Sequence, residues 1–242
     1  MKKLNLDKIR VIVFDADDTL WDCQSHFEHV EKMLYSIIAP HCADPAAELY
    51  DTETHNMEDL GYGCKAFTIS VMETALRVCG ADLQPADLDA LLHAGKHLLH
   101  LPATPLPGVV DTLECLKHTP CPLPHAPIPL VCFTKGELQD QENKLRRSGL
   151  IKYFDHVEIT SNKTEHEFLA LARHLGVQPD EMLMVGNSLK SDMAPALAVG
   201  AQAVHIPFHV TWQLEVHEDF EHERMVKIER IDQLPALLSY QL

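Results

Sequence analysis

The stretch that decides the fold reads Val11-Ile12-Val13-Phe14-Asp15-Ala16-Asp17-Asp18-Thr19. Its first four residues are all apolar, three of them are β-branched, and polar residues follow at once. That pattern predicts a short strand buried on both faces, as in parallel sheets covered by helices. Period two along an extended chain puts the carboxylates of Asp15 and Asp17 on one side. The carboxyl ends of such strands are where open α/β sheets bind ligands. Two acids placed together there repel each other and call for a cation or a shared proton. Taken alone, the same residues would also suit a solvated turn with helix-capping acids.

Working outward, the chain from 21 to 101 carries apolar residues at helical spacing. Val30, Met33, Leu34, Ile37 and Ile38 form one set; Phe67, Val71, Ala75 and Val78 a second; Leu88, Leu91, Leu92 and Leu99 a third. Breakers at Pro40, Pro45, Gly61, Gly63, Gly80 and Pro85 divide the run into a bundle of about four helices. The proline-rich stretch 101–108 reads as a linker. Beyond it the pattern alternates: helix 109–117, strand 130–133, strand 157–160, helix 165–175, strand 182–185, a helix stopping near Gly200, and strand 201–206. Alternation of this kind predicts a Rossmann-like α/β core with a parallel sheet, interrupted early by an all-helical insert. The expected division is a core of residues 1–20 and 105–242 and an insert of residues 21–104.

Composition narrows the function. The 242 residues are 46% hydrophobic and 23% charged, enough apolar material for a real core. Thirty-six acids against 20 Lys and Arg give a net charge of −16, a field that repels nucleic acid and anionic lipid. It also repels phosphate, so a phosphate site needs cations of its own nearby. The seven cysteines are scattered, odd in number and without a C-x-x-C pair, which fits reduced thiols in a cytoplasm. The first apolar run is too short for a signal peptide or a membrane span.

Three further sheet-edge elements follow Asp15 and Asp17. Thr134 lies beyond the second strand, in Phe133-Thr134-Lys135-Gly136, where a hydroxyl and loop amides can cradle a phosphate oxygen. Lys163 lies beyond the third, in Ser161-Asn162-Lys163-Thr164, and supplies the cation that a phosphoryl site in an acidic protein requires. Last comes Gly186-Asn187-Ser188-Leu189-Lys190-Ser191-Asp192, where Asp192 would complete an oxygen-ligand set for magnesium with Asp15.

In this order, Asp-x-Asp-x-Thr, Thr, Lys and Gly-Asn-Ser-x-x-Ser-Asp resemble the four motifs of the haloacid dehalogenase (HAD) superfamily, and the insert resembles that superfamily's helical cap in position. The resemblance implies that Asp15 is the nucleophile that takes the phosphoryl group and that Asp17 is the general acid/base. It implies Thr134, Lys135 and Lys163 at the phosphoryl oxygens. Magnesium would sit on Asp15, the backbone carbonyl of Asp17 and Asp192, with Asn187 as a weaker contact. Asp17 is expected to be kept protonated by its anionic neighbours. Asp22, Gln24, Ser25 and His26, where the chain leaves the core, are candidates for substrate specificity. Three positions depart from the superfamily's usual pattern: Asp18 replaces a frequent Gly, Lys135 a frequent Asn and Asn187 a frequent Asp.

The expected activity is magnesium-dependent hydrolysis of a small metabolite's phosphate monoester through an aspartyl-phosphate. Haloacid dehalogenation, phosphomutase chemistry and a catalytically idle binding module are the alternatives. The sequence sets no natural substrate and no oligomeric state. Other features carry less. His93, His97 and His100 share a helical face that could bind zinc but more simply reads as exposed. His205 and His209 could flank the cleft, and Trp212 is expected to pack on the core. Residues 118–129, with five prolines, read as a stiff surface loop.

Overall fold

The structure is a computed structural model that describes residues 4–118 and 127–239. The predicted opening strand is β1 (Val11–Phe14), with every residue buried. It lies at the middle of a sheet completed by β2 (Leu130–Lys135), β3 (His156–Thr160), β4 (Met182–Gly186), β5 (Gln202–His205) and β6 (Met225–Lys227). The order is β3-β2-β1-β4-β5-β6, and all neighbouring strands pair in parallel. Phe14 is level with Cys132 on one side and Val185 on the other. The chain builds outward from β1 to β3, then crosses back to β4. The carboxyl ends of β1, β2 and β4 therefore meet at the switch in strand order, where open α/β sheets form a crevice.

Two apolar clusters lie on the sheet's opposite faces. One includes Ile12, Phe14, Leu113, Leu130 and Leu183. The other includes Val11, Val13, Phe133, Phe168 and Met184. Alternate residues of β1 belong to different clusters, which is why this strand is apolar without a break.

The insert forms α1 (Gln24–Ile38), α2 (Pro45–Leu60), α3 (Cys64–Cys79) and α4 (Pro85–Leu98). These helices share a third cluster, including Val30, Leu34, Leu49, Phe67, Val71 and Leu91. Asp44 caps α2 by accepting from the Ala47 N–H, with Pro45 in the first turn. Where the insert leaves and returns, the two crossings run side by side: Trp21 and Pro105 form an antiparallel bridge, and the Leu106 N–H donates to the Leu20 carbonyl. The predicted helix after the linker is α5 (Val109–His118).

Several elements differ from the expectation. Between β2 and β3 lies a helix, α6 (Leu138–Ser148), that the apolar pattern does not reveal because its buried residues include Asp140, Gln141 and Lys144. The predicted α7 (Glu165–Leu175) is present, held by a Thr164–Glu167 capping box. The segment toward Gly200 is a π-helical turn, Leu189–Met193, running into a short α8 (Ala194–Ala198). β6 and the terminal α9 (Leu234–Ser239) are additional. The proline-rich loop lies mostly outside the described residues, as does Cys121. The other six cysteines are free thiols. Among the described residues no helix is long and apolar enough to cross a membrane.

Candidate active site

The four sheet-edge elements converge. The Lys163 ammonium lies 2.5 Å from Asp15 Oδ1 and 2.7 Å from Asp192 Oδ1, and all three side chains are at least nine-tenths buried. The Thr19 hydroxyl donates to Asp15 Oδ2 at 2.9 Å and lies 3.2 Å from Asn187 Oδ1. Asp192 is steered by its other oxygen, which accepts from the Ser188 N–H at 3.0 Å. Gly186 makes room for it, since a Cβ there would lie 2.4 Å from Asp192 Oδ2. Burial, followed by the nearby Asp192, pushes the Asp15 carboxyl up to about 7 although Lys163 pulls it down.

Two carboxylates thus share one ammonium, so the cluster lacks positive charge. Hard oxygen donors in that condition fit magnesium, which is commonly held by one or two carboxylates and retains several waters. Among the described residues, no group of three or more His, Cys, Asp or Glu side chains is placed to hold a metal. The His93, His97 and His100 trio is accordingly not gathered into a site, and all three are exposed.

Asp17 departs from expectation. Burial alone would raise its pKa, but the Lys144 ammonium and hydrogen bonds from Trp21, Lys144 and Gln141 outweigh it and hold the carboxyl below the usual aspartate range. Lys144 Nζ lies 3.1 Å from both Asp17 oxygens, Trp21 Nε1 2.7 Å from Oδ1 and Gln141 Nε2 3.0 Å from Oδ2. The anionic neighbours of Asp17 are visible in the sequence, whereas the cation that decides its charge stands on α6, outside the four motifs. The same Gln141 amide donates to the Thr134 hydroxyl at 2.6 Å, so α6 ties the second motif to the first.

Lys135 is engaged as well. Its ammonium contacts Glu215 at 2.5 Å and Ser191 Oγ at 2.8 Å, and it sits 3.9 Å above the Tyr62 ring. Asp18 takes φ 62°, a left-handed conformation that Asp tolerates better than most residues. Its carboxylate accepts from the Cys23 and Gln24 N–H groups at 2.8 and 2.9 Å and so anchors the start of α1.

Above this floor is a cavity of about 440 Å³. The motif residues Asp15, Asp17, Thr134, Lys135, Lys163 and Asp192 line its base; Phe27, Glu53, Met57, Tyr62 and Phe67 of the insert face them. Of the four specificity candidates, Gln24 lines the cavity. Asp22 instead accepts from the Ser25 N–H, the Ser25 hydroxyl is 3.4 Å from the exposed His209, and His26 is exposed. His205 lines the cavity, with Nε2 3.0 Å from the Asn187 carbonyl. Trp212 packs against the insert rather than the sheet core: its indole N–H donates to Glu53 at 3.1 Å, and its ring meets Tyr62 edge-on at 5.8 Å. Gln141, Lys144, Glu53 and Tyr62 had no signal in the sequence beyond ordinary helix and loop residues.

Comparison with known proteins agrees with the geometry. A glyceraldehyde 3-phosphate phosphatase of Methanopyrus kandleri is 27% identical over 208 residues, covering 82% of this chain and 84% of its own. A phosphoglycolate phosphatase of Thiobacillus denitrificans is 25% identical, covering 83% and 84%. A crystal structure of a haloacid dehalogenase-like family hydrolase from Xanthomonas campestris superposes with a TM-score of 0.82 at 26% identity, over 99% of this chain and 95% of that one. Residues 9–200 match the haloacid dehalogenase-like hydrolase family. With that match spanning both the sheet-edge residues and the helical insert, this chain belongs to the haloacid dehalogenase-like hydrolases.

Proposed function

We propose that this hydrolase is a magnesium-dependent phosphatase that cleaves a phosphate monoester of a small metabolite through an aspartyl-phosphate. The observation that carries the reading is the buried Asp15–Lys163–Asp192 cluster at the base of the cavity, with Asp17 beside it. Phosphatases among the relatives support the same class of substrate.

In the proposed reaction an Asp15 oxygen forms a bond to phosphorus while the bond to the leaving alcohol breaks, splitting one hard step into two. Asp17 gives a proton to the leaving oxygen. Water then attacks phosphorus, Asp17 takes the water's proton, and inorganic phosphate leaves Asp15. General acid–base help of this kind is worth about 10²–10⁴-fold. Asp17 is a carboxylate while Lys144 holds it, so it is set for the second step; taking up the proton for the first requires that contact to loosen. Lys163 and the Thr134 hydroxyl would meet the phosphoryl oxygens. Magnesium, when bound, would add positive charge against those oxygens, held by the carboxylates of Asp15 and Asp192 and the Asp17 backbone carbonyl, with Asn187 nearby. The helical insert, residues 21–104, would act as a cap that excludes water from the first step, with the crossings at Trp21 and Pro105 as its hinge.

The test is turnover of p-nitrophenyl phosphate with and without magnesium, beside Asp15→Asn. Wild-type turnover that needs magnesium, and its loss in a variant with unchanged circular dichroism, is expected; activity retained by Asp15→Asn refutes the mechanism. Chloroacetate turnover without metal would point to a dehalogenase, which has no use for Asp17 as a leaving-group acid. Silence across a broad phosphate panel would point to an idle binding module.

A further inference from the structure

The cavity wall opposite the motif residues has its own chemistry. Among the described residues, the insert contributes one charged side chain to that wall, Glu53 of α2, and no Lys, Arg or His. Glu53 is 6% exposed. One of its oxygens accepts from Trp212, and the other, Oε1, is a buried acceptor without a hydrogen-bond partner. An unmatched buried oxygen of this kind is costly, and a donor arriving with a ligand would relieve it.

Aromatic rings complete the surroundings. Phe27 and Phe67 lie 4.8 Å apart on the insert, and Tyr62 meets Trp212 edge to face. A second, smaller cavity of about 180 Å³ shares Glu53 and Trp212 and adds Glu28 and Glu31; among the described residues no Lys, Arg or His lines it. Carboxylate oxygens among ring faces favour a desolvated cation. The core-side lysines are committed: Lys163 to Asp15 and Asp192, Lys144 to Asp17 and Asp140, Lys135 to Glu215. Lys227, the remaining lysine on the wall, is exposed at the end of β6. A second anionic group on the substrate would thus face Glu53 with no cation of the insert to meet it.

We propose that Glu53, with Trp212, Tyr62, Phe27 and Phe67, forms the leaving-group subsite and takes an ammonium carried by the alcohol half of the phosphate monoester. This rests on the phosphatase reading and deepens it. An ammonium satisfies Glu53 Oε1 and brings the charge that a buried carboxylate needs, whereas a hydroxyl supplies only the hydrogen bond. Burial pushes the Glu53 carboxyl up to about 7 against the pull of Trp212, in keeping with an acceptor short of positive charge. The net charge of −16 acts in the same direction, drawing cationic substrates and repelling those with an extra carboxylate. The phosphoglycolate phosphatase relative is named for a carboxylate substrate, so the specificities of the two proteins are expected to differ.

The test is kcat/KM of the full chain with magnesium on alkyl phosphates of graded length, each ending in an ammonium, a hydroxyl or a carboxylate. Hydrolysis of p-nitrophenyl phosphate serves as the reference. The ammonium ester is expected to exceed the hydroxyl ester by roughly tenfold to a hundredfold at the best chain length, with the carboxylate ester last. Glu53→Gln should bring the ammonium and hydroxyl esters to within a few-fold of each other. Equal use of the three esters, or preference for the carboxylate, by a wild type that turns over the reference overturns the inference alone. So does a preference that survives in Glu53→Gln. Failure to hydrolyse any of these esters, reference included, overturns the phosphatase reading and the inference with it.

Discussion

Glu53→Gln should make the protein more stable at alkaline pH and leave it unchanged in acid. The carboxyl of Glu53 is raised from 4.5 to about 7 in the folded chain, with burial as the main cause. Between those values the folded state keeps a proton that the unfolded state has released, so stability falls as pH rises across that window. Above it the full cost applies. At about 1.4 kcal/mol per unit the shift amounts to roughly 3 kcal/mol. Glutamine does not ionise, and its amide oxygen can still accept from Trp212, so the variant escapes this cost. For a chain of this size the gain corresponds to roughly 6–12 °C in Tm at pH 8, and to almost nothing at pH 4. Differential scanning calorimetry of both proteins across that range measures it. A difference independent of pH would reveal a packing effect. A Glu53→Gln variant less stable than wild type at pH 8 would refute the claim that an unmatched carboxylate is buried there.

Two further substitutions test the floor of the cavity. Lys144→Met strands the carboxylates of Asp17 and Asp140, whose Oδ1 already lacks a partner, and should cost about 3–5 kcal/mol in urea unfolding at neutral pH. A loss below about 1 kcal/mol would mean that water solvates both acids in place of the lysine. Gly186→Ala would place a Cβ 2.4 Å from Asp192 Oδ2, so Asp192 must move; kcat is expected to fall on the order of 10²-fold with the circular dichroism spectrum kept, and unchanged kcat would show that Asp192's position is immaterial.

The legible parts of this molecule are those where burial is apolar or where a polar residue directly follows a strand. β1 could be read because both of its faces meet apolar clusters, and Asp15, Lys163 and Asp192 because each lies shortly beyond the carboxyl end of a strand that the sequence reveals. α6 could not be read for the opposite reason. Its segment Leu138-Gln139-Asp140-Gln141-Glu142-Asn143-Lys144-Leu145 has two apolar residues, and its buried face carries polar groups with polar partners: Lys144 with Asp17, Gln141 with Thr134. A buried polar network has the composition of a solvated surface, and Asp17, the partner that Lys144 and Gln141 share, lies more than a hundred residues away. Glu53 was invisible for a related reason. One acid on an amphipathic helix reads as solvent-facing until Trp212, 159 positions further on, is placed against it. β6 has three residues and lies at the sheet edge, too short for a periodic signal.

The charge balance of the cavity floor connects these observations. Lys163 stands against Asp15 and Asp192, and Lys144 against Asp17 and Asp140, so each buried group carries one more carboxylate than ammonium. The Lys135–Glu215 pair is neutral. Lysines alone therefore do not make this floor attractive to a phosphate dianion. Their carboxylate partners absorb their charge and fix their positions, which suits orientation better than capture. At Asp15 burial, and after it Asp192, push the carboxyl up to about 7 despite Lys163. The proposed magnesium dependence would then follow from the count of charges around Asp15. In a protein with 16 excess acids, the same count at Glu53 favours a substrate whose far end is positive.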